Sequence, residues 1–180
     1  WDTITGLAIA PGGRLFVIEK RGRVHVVQSN YKLPLPFIDL EHEVLNNGDR
    51  GLLGIALDPR FEENGYMYLL YTVDPNEDGV DDDGVAFGRL TRYRAISTDP
   101  NEADLASRRV LIGETWTAGI PSLYNTHTIG SVRFGADGSL LVSTGDGAHA
   151  EVSDRGGLDP SGFGAGRLDP MEDIGALRSQ

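Results

Sequence analysis

One pattern recurs along this chain and limits what it can fold into. GLAIAPGGRLFVIEK, GIALDPRFEENGYMYLLYT and GSVRFGADGSLLVSTGD each open with a glycine and run into a short apolar strand. A Gly-containing turn follows, then a longer hydrophobic strand. The opening glycines are Gly6, Gly54 and Gly130, unevenly spaced because an insertion separates the second and third copies. A unit of this size cannot bury its apolar faces alone, so neighbouring copies must stack. Small antiparallel sheets repeated in this way predict an all-β chain built from β-propeller blades. The innermost strand of each blade then lines a central channel, and the loops preceding those strands meet at one mouth. That arrangement places the loop at Asp49-Arg50 near His127, although the two are far apart in sequence.

Between the repeats, alternation and turn chemistry predict the remaining strands. A meander is expected over residues 7–10, 15–19 and 23–27, with an outer strand at 37–40. Two strands are expected at 55–57 and 66–72, and two more at 89–96, with its arginines pointing outward, and 107–116. His25 alternates with Val24 and Val26 and reads as a surface histidine; His42, set among acids, reads as solvated. The loop 116–125 is expected to carry Trp116 and Tyr124 towards His127, either to stack on a sugar face or to pack under a long loop.

The third repeat holds the chemistry. NTHTIGSVRFGADGSLLVSTGDG reads as a β-hairpin folded about Asp137-Gly138, with His127 just before its first strand and Asp146 just after its second. An antiparallel pair brings those two ends to one rim. A carboxylate beside an imidazole fixes its tautomer and raises its basicity, as a general base requires. The same residues also suit a strand-end histidine and a turn aspartate that caps backbone groups. A metal on His127, Asp146 and His149 is a weaker third pattern, because the spacing is not diagnostic.

Composition narrows the partners. The 180 residues carry a net charge of −11 with no basic cluster, which argues against a phosphate-binding surface and hence against nucleic acid as a partner. A neutral sugar is compatible. The absence of cysteine excludes disulfides and thiolate metal sites. No apolar run approaches the roughly 18 residues of a membrane span. The chain opens at Trp1 rather than Met, which predicts an upstream segment, either a secretion signal or more of the domain. An acidic insertion occupies 74–88 and a Gly-rich, aperiodic loop 148–175. Within the insertion, Asp74, Asn76, Asp78, the Val80 carbonyl and Asp82 follow the alternate-ligand spacing of an EF-hand-like calcium loop; Val85 stands where the bidentate glutamate belongs, with Asp81 or Asp83 as its substitute. A bland solvated loop is the other reading of this stretch.

GRLFVIEKRGRVHVV, DRGLLGIALDPRFEENGYMYLLYT, GRLTRYR and HTIGSVRFGADGSLLVSTGDG together resemble the glucose/sorbosone dehydrogenase family. The resemblance implies a six-bladed β-propeller, of which residues 1–180 form the N-terminal portion with roughly half the blades. It implies pyrroloquinoline quinone and calcium as cofactors, a sugar or related polyol as substrate, and a periplasmic or secreted location. His127 matches the family's proton-abstracting histidine and Asp146 its supporting aspartate; Asp49 and Gln180 fall on the cofactor side. One departure is Asp49, where sugar-oxidising members often carry glutamine. The DRGLLG form is also similar to non-enzymatic relatives such as the Hedgehog-interacting proteins, so a non-catalytic propeller binding glycans or proteins is the alternative. Alone, the segment is expected to be inactive and to self-associate through open strand edges.

Overall fold

The computed structural model describes residues 1–82, 84–122, 124–145 and 147. Among them the chain forms three antiparallel sheets in sequence order. The first contains β1 (Ile4–Ile9), β2 (Leu15–Glu19) and β3 (Arg23–Gln28), with β4 (Tyr31–Lys32) and β5 (Ile38–Asp39) both on the outer edge of β3. The second contains β6 (Leu52–Leu57), β7 (Tyr66–Val73) and β8 (Ala86–Ala95). Its outer edge is shared by β9 (Ala103–Ile112), which pairs with the far half of β8, and β10 (Ile120–Ser122), which pairs with its first residues. The third sheet is the hairpin of β11 (Ile129–Phe134) and β12 (Leu140–Thr144).

The inner strands β1, β6 and β11 pack side by side and line an open groove of about 580 Å³, the channel wall expected from the repeat. Each has a register shift at its opening glycine, between Ile4 and Gly6, Leu52 and Gly54, and Ile129 and Val132. At Gly54 a Cβ would press on the Leu70 side chain and on Val132 of the neighbouring sheet. At Gly54 the glycine thus permits a close approach of neighbouring inner strands, whereas at Gly6 and Gly130 the nearest atoms, Ile18 and Ser143, belong to the same sheet.

The middle sheet is covered on both faces, which explains the unbroken hydrophobic run YMYLLYTV of β7. Met67, Leu69, Tyr71 and Val73 pack towards Phe16, Ile18, Val24 and Val26 of the first sheet. Tyr68 and Leu70 face the other way, with Ile129 and Val132 of the third. Each fully buried side chain of this kind contributes about 1.5–3 kcal/mol.

Two expectations about surface residues are corrected. His25 is buried, not exposed, and its Nε2 contacts Glu19 Oε2 at 3.0 Å. The N-terminus covers this face: the Trp1 ring meets the His25 ring edge-on, Lys32 sits over Trp1, and the Asp2 N–H donates to Glu19 Oε1. The arginines of β8 do not all point outward either. Arg94 is exposed, but Arg89 is buried, bonded to Glu43 and to the Gly113 carbonyl. Glu43 also accepts from Tyr71 and Arg108, and burial together with that negative charge pushes the Tyr71 phenol far up. Segment 116–125, read as a loop, contains the short strand β10; three residues are too few to show a period.

Burial opposes the ionisation of Glu19, but the Asp2 N–H, the His25 ring and Lys32 outweigh it and hold the carboxyl below its ordinary 4.5. A depressed folded value means that this contribution is present above the ordinary value and is lost as pH falls through the folded one. Thermal melts between about pH 3 and 7 should therefore show a loss of Tm below about pH 4.5 that is smaller in Glu19→Gln. An identical acid profile in the variant would remove Glu19 from the account.

Candidate functional site

The split outer edge of each full sheet delivers the chain to the same rim. β5 pairs with Arg23 and Val24 at the start of β3, and β10 pairs with residues 86–88 at the start of β8. From β5 the chain runs through 40–51 into β6; from β10 it runs through 123–128 into β11. Asp49 and His127 therefore occupy corresponding places, each just before an inner strand.

The two loops are bonded together. The Asp49 N–H donates to the Asn125 carbonyl at 2.6 Å, and the Asn125 side chain donates to Asn47 Oδ1 at 3.3 Å. The His127 N–H donates to Asp49 Oδ2 at 3.0 Å, and the Thr128 hydroxyl donates to the Asp49 carbonyl at 2.9 Å. Gly48 permits the approach: its φ is 56°, and a Cβ there would strike the Asn125 carbonyl oxygen. Beneath the rim, the guanidinium of the fully buried Arg50 donates to the Ser122 hydroxyl and carbonyl, at 3.1 and 2.8 Å. Asp49 and Arg50 thus grip both ends of the segment leading from β10 to His127.

His127 itself is exposed and has a φ of 52°, in the left-handed region that side-chain-bearing residues rarely adopt. Holding such a conformation costs on the order of 1–3 kcal/mol, and residues so held cluster at functional sites. The Asp49 contact and the Gly147 N–H, which donates to the His127 carbonyl at 2.9 Å, hold it. The Gly145 N–H donates to the Thr128 carbonyl, so the hairpin ends meet as the turn at Asp137-Gly138 requires. Asp146, His149 and Gln180 lie outside the described residues. Tyr124 is half-buried, and Trp116 is exposed on a short 3₁₀ turn.

A calcium site at 74–82 is not shown among the described residues. Among the described residues, no three His, Cys, Asp or Glu side chains are grouped to hold a metal. Asp74 is buried, and its two carboxylate oxygens accept the N–H groups of Asn76 and Gly79. Asp78 and Asp82 likewise accept from Val80 and Gly84, and the Val80 carbonyl accepts from the Asp82 N–H. Asp74, Asp78 and Asp82 thus cap local turns, a common use of aspartate in loops.

Sequence reasoning offered Asp81 only as a substitute calcium ligand and missed that it reaches from the insertion to the rim. Its Oδ1 accepts the Asn46 N–H at 2.7 Å, its Oδ2 accepts from Arg21 at 3.2 Å, and its carbonyl accepts from the Asn47 amide. Asn47 and Asn125 were missed as well. The Asn47-Gly48 turn signal stands beside Asp49, but nothing in the sequence pairs it with residues 34 to 78 positions away.

A family match covers residues 2–159 under the description Glucose / Sorbosone dehydrogenase. The chain belongs to the glucose/sorbosone dehydrogenase family. Among solved structures it is similar to an oxidoreductase of Thermus thermophilus described as a glucose dehydrogenase, with 29% identity and a TM-score of 0.62 over 81% of this chain and 37% of that one. The PQQ-bound aldose sugar dehydrogenase of Streptomyces coelicolor shares the fold, with 21% identity and a TM-score of 0.62 over 83% of this chain and 40% of that one. Human Hedgehog-interacting protein is 29% identical over 140 residues, 74% of this chain and 19% of that protein. This member of the family is thus all-β and part of a β-propeller, spanning well under half of these relatives. No helix among the described residues is long and apolar enough to cross a membrane.

Two outcomes follow for the rim. Gly48→Ala should cost more in urea unfolding than Gly138→Ala. Both have positive φ, but only at Gly48 would the new Cβ collide with backbone. Equal losses would contradict the close approach. If 74–82 holds calcium, millimolar calcium should raise Tm; an unchanged Tm would leave the stretch as capped turns.

Proposed function

We propose that this chain is the N-terminal portion of a quinoprotein sugar dehydrogenase-like propeller whose parent oxidises an aldose or related polyol. The observation that carries the reading is His127, an exposed imidazole on a left-handed backbone at the channel mouth, tied by its N–H to Asp49. A bound pyrroloquinoline quinone would accept the hydride. The carboxylates of that group need cations. Here the mouth offers Lys20, whose Nζ donates to the Gly48 carbonyl at 2.7 Å, next to Asp49 in the chain. The donor set fits the proton-accepting side of the reaction and supplies one corner of a cradle, with Gln180 assigned to the cofactor side as well.

In this reading, neutral His127 takes the proton of the sugar hydroxyl. Asp146 stands in sequence between Gly145 and Gly147, whose N–H groups bond to Thr128 and His127. Its carboxylate orients the ring and stabilises the imidazolium that forms. Asp49 holds the loop in place from the cofactor side. No step passes through calcium. We assign the parent to the periplasm or to secretion, with its acidic insertion at 74–88 and Gly-rich loop at 148–175 as elaborations of one domain. The isolated segment is inactive and self-associates through its open edges.

A second reading, a non-catalytic propeller, is favoured by the Hedgehog-interacting relatives and by aspartate at position 49. Turnover per bound quinone in the full-length parent separates the two. His127→Asn should lose about 10²–10⁴ in rate while still binding quinone, and Asp146→Asn should lose less. Unchanged turnover in His127→Asn would remove the general base and leave the binding propeller.

A further inference from the structure

The acidic insertion has a use that neither the calcium pattern nor the fold accounts for. It leaves β7 on the rim side, since the antiparallel pairing sets the end of β7 beside the start of β6. Asp74 caps the turn that follows, through Asn76 and Gly79, and so bends the loop back towards the mouth. Asp81 then meets both walls of the rim: Arg21, from the turn between β2 and β3, and Asn46-Asn47, from the loop before β6. From there the bonds continue inward. Asn47 accepts from the Asn125 side chain, the Asn125 carbonyl accepts the Asp49 N–H, and Asp49 accepts the His127 N–H.

We propose that Asp81 is a positioning residue for His127, and that the insertion is a strap holding the Asn46–Asp49 turn where it can fix the His127 backbone. The proposal rests on the reading of His127 as general base. Its physical basis is that the turn is held by hydrogen bonds rather than by apolar burial. Gly48 and Asp49 are exposed, and the bonds to Lys20, Asn125 and Thr128 are joined on the outer side by those of Asp81 to Asn46 and Asn47. The Asn46 N–H is received by a carboxylate, and a charge-assisted hydrogen bond is about twice as strong as a neutral one. The Arg21 guanidinium holds the second carboxylate oxygen. Loss of this anchor frees the turn, and with it the carboxylate that receives the His127 N–H.

The test uses the full-length parent with Asp81→Ala, Asp81→Asn and Arg21→Gln. Hydrogen–deuterium exchange is read for peptides covering 44–50 and 124–128, with 15–28 as control. Asp81→Ala should raise exchange about tenfold in both rim segments and leave the control unchanged. Asp81→Asn, which keeps an acceptor for the Asn46 N–H, and Arg21→Gln should give smaller rises in the same two segments. In turnover, kcat should fall by about tenfold to a hundredfold with a smaller change in sugar KM, as expected when a reacting group is displaced. Faster exchange at 44–50 with 124–128 unchanged would overturn the proposal, because the anchor would then be purely local. Unchanged exchange in both segments would overturn it too. If both loosen while His127→Asn keeps its turnover, the strap stands and the general-base reading falls. If Asp81→Ala does not fold, the other two variants decide by the same criteria.

Discussion

Asp49 receives the His127 N–H on its carboxylate and the Thr128 hydroxyl on its carbonyl, and gives its own N–H to Asn125. These three bonds join the loop before the second inner strand to the loop before the third. Without them His127 would have to keep a left-handed backbone, at a cost on the order of 1–3 kcal/mol, with less to hold it there. The neighbouring Arg50 secures the other end of the same segment through Ser122, from full burial. An adjacent acid and base thus act on two points of one loop, one at the solvent boundary and one beneath it.

That grip depends on the sheets below it. The middle sheet is packed on both faces, by Phe16, Ile18, Val24 and Val26 on one side and by Ile129 and Val132 on the other. Close-packed interiors deform little, so the inner strands hold the two loops at fixed separation. The division of labour follows: apolar burial sets the positions of the strands, and hydrogen bonds to carboxylates set the conformations of the loops between them. Aspartate does most of the latter, at Asp49 and Asp81 on the rim and at Asp74, Asp78 and Asp82 within the insertion.

Much of the fold was legible because the repeat states it. Gly6, Gly54 and Gly130 mark the start of each inner strand, and the convergence of Asp49 with His127 follows from placing those strands side by side. His25 was misread because alternation tells which residues share a face, not what covers that face; Trp1 and Lys32 cover it from outside the strand. Arg89 was misread for a related reason, since its partner Glu43 sits far back in the chain. In the acidic insertion, calcium ligation and turn capping call for the same aspartates at the same spacing, so the sequence alone does not separate them. The bond from Asp81 to Asn46 joins residues 35 positions apart and leaves no local signal.

The family is set by a match across residues 2–159, while the chain covers 37% and 40% of the two sugar dehydrogenase structures and 19% of Hedgehog-interacting protein. The chain is similar both to sugar dehydrogenases and to Hedgehog-interacting protein. What distinguishes a sugar dehydrogenase from a binding propeller is whether the mouth takes up quinone and passes substrate hydride to it. Spectroscopic titration of the full-length protein with pyrroloquinoline quinone, followed by an aldose, measures this directly. The account predicts stoichiometric quinone uptake and bleaching of the oxidised quinone band once sugar is added. Absence of uptake, or a bound quinone that no aldose reduces, would contradict it.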